Sequence, residues 1–138
     1  MATNTEALRA IPLFGGMSDR SIEIIADIVR ETSFPAGASL VKEGEPGESF
    51  MIIREGSAVV DQGGRTLREL GAGDFLGEIA LIDGGPRTAS VTAAQPVTAL
   101  VIDRSGFARL MSEFPVIRFD LVSALTQRLR QRGQEPLD

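Results

Sequence analysis

The sequence contains no cysteine, no histidine, no tryptophan and no tyrosine. Without Cys and His, the chain lacks disulfides, thiolate nucleophiles, histidine bases and Cys/His zinc sites. An enzyme built from this sequence would have to use carboxylates, Lys and Ser/Thr alone. We therefore expect a protein that is not an enzyme, with no catalytic residues, no catalytic cofactor and no metal.

Long apolar runs and an excess of positive charge are absent as well. No segment reaches transmembrane length, and the start MATNTEALRA lacks the features of a secretory signal, which favours a cytoplasmic protein. A net charge of −5 argues against broad contact with nucleic acid or an anionic membrane. The 138 residues, 43% hydrophobic and 24% charged, predict one folded domain with a core of its own.

Helical periodicity dominates the N-terminal part, which we assign to residues 5–32. Ser18 is suited to cap a helix, because its hydroxyl can accept a hydrogen bond from a free amide of the first turn. Four apolar residues then recur at helical spacing and predict one buried face: Ile22, Ile25, Ile28 and Val29. Pro35 and Gly37 end the pattern.

Short strand-like segments separated by turn residues occupy the middle of the chain, residues 33–103. Gly63-Gly64 lies between two such segments and predicts a tight hairpin, because both turn residues need positive φ. Turn signals recur every 8–12 residues or so, the spacing typical of an all-β sandwich or barrel. We predict a mainly β fold with flanking helices, in which an antiparallel β-roll resembles a double-stranded jelly roll.

Two further helices are predicted over residues 104–132, joined at Pro115, and residues 133–138 form a tail. The first helix has an apolar stripe that predicts core packing: Phe107, Leu110, Met111 and Phe114. The second has a stripe that suits either packing within the chain or a seam between subunits: Val116, Phe119, Val122, Leu125 and Leu129.

One segment, GEIALIDGGPRTASV (Gly77–Val91), places a single acid and a single base around an apolar, glycine-rich stretch. Glu78 and Arg87 suit a structural ion pair, an acid–base couple or a ligand site. Gly77 lets the backbone approach a ligand closely, and EIALI is long enough for one helical turn whose first amides would face an anion. Arg87 adds a planar fork of donors for the same anion. A carboxylate that binds a hydroxyl, next to an arginine that binds a compact phosphate, is the combination expected for the ribose and phosphate of a nucleotide.

The same segment resembles the phosphate-binding cassette of cyclic-nucleotide-binding domains, the family that includes the effector domain of catabolite activator proteins. Its pattern of Phe-x-Gly-Glu-x-Ala-Leu, a short loop and Pro-Arg-(Thr/Ala/Ser)-Ala-(Ser/Thr)-Val is matched at these positions: Phe75, Gly77, Glu78, Ala80, Leu81, Pro86, Arg87, Thr88, Ala89, Ser90 and Val91. The resemblance extends over residues 8–132, nearly the whole chain.

The resemblance implies a role for each matched residue. Glu78 would bind the ribose 2′-hydroxyl, Arg87 the exocyclic phosphate oxygens, and the amides of Ala80 and Thr88 the rest of the phosphate, with Gly77 close to the ribose. The predicted nucleotide-binding residues are Gly77, Glu78, Ile79, Ala80, Arg87, Thr88 and Ala89. The purine would contact strand residues, with Val60, Leu67 and Leu70 as candidates. Since Trp and Tyr are absent, the lid over the base would be an aliphatic side chain, Phe119, or an arginine such as Arg118 or Arg128.

The function implied by the resemblance is that of a regulatory sensor. Binding would order the cassette and bring the last helix onto the base, and the signal would pass to a protein effector or an output domain. Thr88 is compatible with cyclic AMP and cyclic GMP, and we favour cyclic AMP. The alternative is a ligand-independent interaction or dimerisation module with a vestigial pocket, forming a homodimer through the last helix. A phosphodiesterase is disfavoured because no metal constellation or carboxylate pair accompanies the motif.

Overall fold

A computed structural model describes residues 5–77 and 85–133, with side chains described as far as Gln127. The N-terminal part contains α1 (Thr5–Arg9), a 3₁₀ helix (Pro12–Phe14) and α2 (Asp19–Ile28). The strands are β1 (Arg30–Phe34), β2 (Ser39–Val41), β3 (Ser49–Glu55), β4 (Ala58–Gln62), β5 (Arg65–Leu70), β6 (Phe75–Leu76), β7 (Ser90–Ala93) and β8 (Val97–Asp103). Two helices follow, α3 (Arg104–Glu113) and α4 (Pro115–Gly133).

The strands form two four-stranded antiparallel sheets packed face to face. The first has the order β1-β8-β3-β6 and the second the order β2-β7-β4-β5. Neighbours in each sheet are mostly distant in sequence, so the chain alternates between the sheets as a roll does. The predicted fold class, a mainly β roll with flanking helices, is confirmed.

The central strands of the first sheet, β3 and β8, are buried on both faces, and this gives the domain two cores. Along β3, Phe50 and Ile52 face the helices, whereas Met51 and Ile53 face the second sheet. This alternation follows from the two-residue period of a strand. It explains why β3 and β8, the central strands, read as continuous apolar runs in the sequence.

The start of α2 agrees with the predicted cap, and its end differs from the predicted boundary. The Ser18 hydroxyl oxygen accepts a hydrogen bond from the amide of Ser21 at 3.2 Å. The backbone turns extended at Val29, and β1 begins at Arg30, before the start predicted for the roll at residue 33. Pairing of β1 with β8, from Arg30 opposite Val101 onward, supplies the backbone hydrogen bonds that an additional helical turn would have supplied.

The predicted hairpin is confirmed at Gly63 and Gly64. Both residues have positive φ, 58° and 81°, and Gln62 pairs with Arg65 across the turn. A residue with a side chain would be strained at either position. The hairpin fixes the register of β4 against β5, with one irregularity after Val60.

The two C-terminal helices meet at Pro115, as predicted. Proline suits the first position of α4 because that residue needs no intrahelical N–H bond. The predicted α3 stripe packs into the helical core, with Met111 at its partly buried edge. Among the described residues, no helix is long and apolar enough to span a lipid bilayer.

The stripe predicted on α4 is not the face that packs within the chain. The packed face consists of Ile117 and Leu121, which are 0% and 1% exposed. Val116, Phe119 and Val122 are 63%, 70% and 54% exposed. Successive residues of a helix are about 100° apart, which places Phe119 and Val122 roughly opposite Ile117 and Leu121, so this part of α4 has one apolar row in the core and one in solvent.

Candidate functional site

Arg87 lies just before β7 and is the one buried charged side chain among the described residues. Its exposed fraction is 7%. The preceding Pro86 forms an isolated antiparallel bridge with Pro46, which brings Arg87 against the β2–β3 loop (residues 42–48). A charge is buried at this depth only where hydrogen bonds compensate its lost hydration.

Backbone and hydroxyl oxygens from two other segments hold the guanidinium. Nη2 donates to the carbonyl oxygen of Ser49 at 2.9 Å and to its hydroxyl at 3.4 Å. Nη1 donates to the carbonyl oxygen of Gly77 at 3.2 Å. These three acceptors are neutral oxygens, and together they fix the plane of the guanidinium fork.

Gly77 is required by this packing. Its φ is +91°, and a Cβ built there would lie 2.5 Å from Nη1 of Arg87 and 2.6 Å from the carbonyl oxygen of Ser49. Gly77 was predicted to permit a close approach to a ligand. In the structure it permits the close approach of Arg87 and Ser49.

The backbone of the Arg87 segment is fixed by the β2–β3 loop. The amide of Arg87 donates to the carbonyl oxygen of Glu45 at 2.8 Å, and the amide of Gly44 donates to the carbonyl oxygen of Arg87 at 2.9 Å. The amide of Glu43 donates to the Ser90 hydroxyl at 2.9 Å. Residues 86–90 are thus held on one side along their length.

The β4–β5 hairpin holds the same segment from the other side. Nε2 of Gln62 donates to the carbonyl oxygen of Thr88 at 2.8 Å. The Glu43 carboxylate accepts a hydrogen bond from the amide of Gly63 at 2.9 Å, which ties the hairpin to the β2–β3 loop. The side chain of Thr88 is exposed. Its backbone is therefore positioned while its hydroxyl remains accessible.

The structure brings together four of the predicted site residues: Gly77, Arg87, Thr88 and Ala89. Ala89 is half-buried and packs against the core between the sheets. Glu78, Ile79 and Ala80 lie outside the described residues, as does the predicted helical turn. Of the proposed purine contacts, Val60 and Leu70 are buried in the core between the sheets, whereas Leu67 is 39% exposed.

Sequence reasoning missed Ser49, Glu43 and Gln62. Ser49 acts largely through its carbonyl oxygen, which every residue type provides, so its identity carries no signal. Gln62 directly precedes the Gly-Gly turn. A polar side chain at the tip of a hairpin is only a weak indication that it contacts the site. Among the side chains described, those of residues 5–77 and 85–127, no group of three or more His, Cys, Asp and Glu is placed to hold a metal ion.

Comparison with known proteins decides the family. The sequence model of one protein family, described as the cyclic nucleotide-binding domain, matches residues 31–114, which is more than half of the chain. The chain belongs to the cyclic nucleotide-binding domain family. It is a regulatory domain of that family, as the sequence resemblance predicted.

Individual relatives agree with this assignment. A cyclic nucleotide-gated potassium channel of Rhizobium etli is 38% identical over 133 residues, covering 96% of this chain and 36% of the channel. The regulatory domain of Toxoplasma gondii PKA, solved with cAMP, has a TM-score of 0.77 and 33% identity, covering 90% of this chain and 48% of that chain. The chain spans 26–36% of the length of the curated relatives it matches first.

One similar structure belongs to a protein with a different response. It is the regulatory subunit of a cAMP-independent protein kinase A from Trypanosoma brucei, with a TM-score of 0.77 and 30% identity, covering 88% of this chain and 44% of that chain. Membership of the family therefore does not by itself identify the nucleotide.

Proposed function

We propose that this domain binds a cyclic nucleotide, cyclic AMP in preference to cyclic GMP, and acts as a regulatory sensor without catalytic activity. The observation that carries the proposal is the buried Arg87 guanidinium, oriented by Ser49 and Gly77. The proposed binding residues are Gly77, Glu78, Ile79, Ala80, Arg87, Thr88 and Ala89.

The charge of the site favours a cyclic phosphate. A cyclic phosphodiester has one negative charge, which one guanidinium can match, whereas a phosphate monoester has nearly two at neutral pH. A buried excess of charge is costly, so a site with one buried arginine discriminates against the monoester. Glu78 would bind the ribose 2′-hydroxyl, because a carboxylate accepts hydrogen bonds from hydroxyls and repels phosphates.

Closure of α4 over the base is the proposed signal. Residues 114–115 are the proposed hinge, since Phe114 leaves helical geometry with φ −126° and ψ 80°. The exposed apolar row of α4, with Phe119 as its largest member, would gain contacts with a purine. Binding shifts α4 only if the nucleotide prefers the closed arrangement, so these additional contacts are essential to the mechanism.

Titration calorimetry tests the proposal. We expect micromolar or tighter binding of cyclic AMP, weaker binding of cyclic GMP and no measurable binding of 5′-AMP, which has the same base and ribose but a dianionic phosphate. Incubation with cyclic AMP should release no 5′-AMP. Folded, ligand-free protein that gives no heat with either cyclic nucleotide would refute the proposed function.

The exposed row of α4 also favours a second candidate, an interaction module that pairs through Val116, Phe119 and Val122. Solvent-exposed apolar side chains in a row are typical of helix–helix seams. Light scattering with and without cyclic AMP distinguishes the candidates. A dimer of equal mass in both conditions, with no nucleotide binding, would support the interaction module. A protein effector or output domain is the proposed recipient of the signal in either case.

A further inference from the structure

Regular pairing between β4 and β7 stops just before the residues that are proposed to bind the phosphate. The last pair of this ladder is Asp61 with Ser90. Residues 86–89 lie beyond it, so the ladder between these two strands leaves their backbone groups to other partners. Side chains from two neighbouring segments supply part of the connection that the ladder no longer provides.

A closed ring of three hydrogen bonds continues the connection. Nε2 of Gln62 donates to the carbonyl oxygen of Thr88 at 2.8 Å. The amide of the next residue, Gly63, donates to Oε1 of Glu43 at 2.9 Å. The amide of Glu43 donates to the hydroxyl of Ser90 at 2.9 Å. The hairpin backbone and the backbone that leads into β7 close the ring.

Glu43 joins the ring through both its side chain and its backbone. In a two-residue hairpin, the bond across the turn joins the residues that flank it, so the amide of the first turn residue, here Gly63, has no partner inside the turn. The Glu43 carboxylate accepts a hydrogen bond from that amide, and a charged acceptor makes a stronger bond than a neutral one. The ring therefore depends on the type of side chain at position 43.

The ring and the β2–β3 loop together set the direction of the Thr88 amide. The amide of Gly44 donates to the carbonyl oxygen of Arg87 at 2.9 Å, so this oxygen faces the loop. The N–H of a trans peptide points opposite to its C=O, so the Thr88 amide, which belongs to the same peptide, faces away from the loop. Gln62 holds the peptide on the other side of Thr88.

We infer that Glu43 is a positioning residue for the anion site: by closing the ring, it holds the Thr88 amide in the direction that a bound phosphate would meet. The inference rests on the proposed function, since Thr88 is one of the residues proposed to bind the nucleotide. A carboxylate near an anion site should by its charge alone weaken binding, so removing it should strengthen binding. If Glu43 positions the amide, its removal should weaken binding instead.

Calorimetry with cyclic AMP separates these two effects in three single variants. Glu43→Ala removes both the charge and the acceptor. Glu43→Gln removes the charge but keeps an oxygen that can accept the Gly63 amide. Glu48→Ala is the matched control, because it removes an equal charge from the same loop at an exposed side chain outside the ring.

We expect Glu43→Ala to weaken cyclic AMP binding by about threefold to tenfold, the effect of losing one hydrogen bond that holds a binding group. Glu43→Gln should stay within about twofold of wild type, since it keeps that bond. Glu48→Ala should bind as tightly as wild type or slightly more tightly. If Glu43→Ala binds at least as tightly as Glu48→Ala, charge alone explains the result and the inference is overturned.

The double variant Glu43→Ala/Gln62→Ala tests whether the ring acts as one unit. Each single change opens the ring, so we expect the combined loss of affinity to be clearly smaller than the product of the two single losses. Losses that multiply in full would show that the two bonds act independently, which would rule out the ring as the means of positioning.

Amide NMR of the ligand-free protein tests the positioning without any nucleotide. Glu43→Ala should shift the Thr88 amide resonance and speed its hydrogen exchange, whereas Glu48→Ala should change neither. An unchanged Thr88 amide in Glu43→Ala would overturn the inference whatever calorimetry shows. A wild-type protein that binds no cyclic nucleotide would refute the proposed function, and the NMR comparison would still show whether Glu43 orients this amide.

Discussion

The guanidinium of Arg87 is hydrogen-bonded to Ser49, the first residue of β3, through Nη2 and the Ser49 carbonyl oxygen at 2.9 Å. A second bond, from Nη1 to the Gly77 carbonyl oxygen at 3.2 Å, fixes the plane of the fork. Both acceptors belong to the protein itself, so the fold orients the fork that the proposed phosphate would meet, and much of the rotational entropy of this side chain is lost in folding and not in binding.

Replacement of Arg87 tests its role as the phosphate ligand. Arg87→Ala should weaken cyclic AMP binding by at least about 2 kcal/mol, because the bound phosphate would be desolvated without a partner. Arg87→Lys should also weaken binding, since an ammonium lacks the planar fork. Calorimetry measures both, and Arg65→Ala on the exposed hairpin is the charge-matched control. Wild-type affinity in a folded Arg87→Ala protein would exclude the assigned site.

Gly77→Ala tests whether the orientation of Arg87 matters for binding. The new Cβ would overlap Nη1 of Arg87, so we expect affinity to fall at least about tenfold as the fork is displaced. Gly37→Ala is the matched control, because Gly37 has a similar φ of +86° with nothing within 4 Å of the added Cβ. Each substitution adds backbone strain of roughly 1–2 kcal/mol, which calorimetric unfolding should detect in both. Equal affinities for the two variants would contradict the prediction.

Gln62 should contribute to affinity through the peptide that it holds. Gln62→Ala removes the hydrogen bond to the Thr88 carbonyl oxygen, and we expect nucleotide binding to weaken by about 0.5–1.5 kcal/mol. The melting temperature should change little, because this bond is exposed at the domain surface. Gln95→Ala, in the exposed turn before β8, is the control. A loss of stability without a loss of affinity would show that the bond serves the hairpin alone.

The parts of the fold that depend on local chemistry were predictable from the sequence. Gly63-Gly64 specifies a hairpin through backbone conformation alone, and the Phe107–Phe114 stripe specifies a buried face through periodicity alone. Arg87 was proposed as a site residue for another reason. The motif around it has many fixed positions, and the resemblance of this motif to a known family indicated the class of ligand.

The remainder depends on contacts between distant segments. Ser49 and Glu45 serve the site through carbonyl oxygens, and a carbonyl oxygen has no residue-specific signature. The face of α4 could not be assigned because the helix has two apolar rows. Ile117 and Leu121 lie in the core because they continue the row of Phe114, whereas the predicted row through Phe119 faces solvent.

Asp103 predicts a pH dependence of stability. Its pKa is lowered, chiefly by the hydrogen bond from the Gly106 amide, then by that from the Ser105 hydroxyl, with a smaller effect from Arg30. A group with a lowered pKa in the folded state stabilises the fold at pH values above its unfolded pKa, about 3.9, and this contribution is lost as the pH falls through the folded pKa.

Asp103→Asn keeps a capping side chain and removes the titration. The gap in melting temperature between wild type and Asp103→Asn should therefore be constant near neutral pH and shrink below about pH 4. Asp120→Asn on the exposed side of α4 is the matched control for net charge. A gap of the same size and pH dependence in Asp120→Asn would assign the effect to overall charge and not to the α3 cap.

Phe119 distinguishes the two uses proposed for the exposed row of α4. Its side chain is 70% exposed, so Phe119→Ser should barely change the melting temperature. If α4 closes over the base, the substitution should weaken cyclic AMP binding by roughly 1–2 kcal/mol, the value of covering one face of a purine with an aromatic ring. The mass measured by light scattering should then stay the same in both proteins. If the row is instead a subunit seam, Phe119→Ser should halve the mass and leave affinity unchanged, because the apolar surface that it removes would contact a second chain and not the nucleotide.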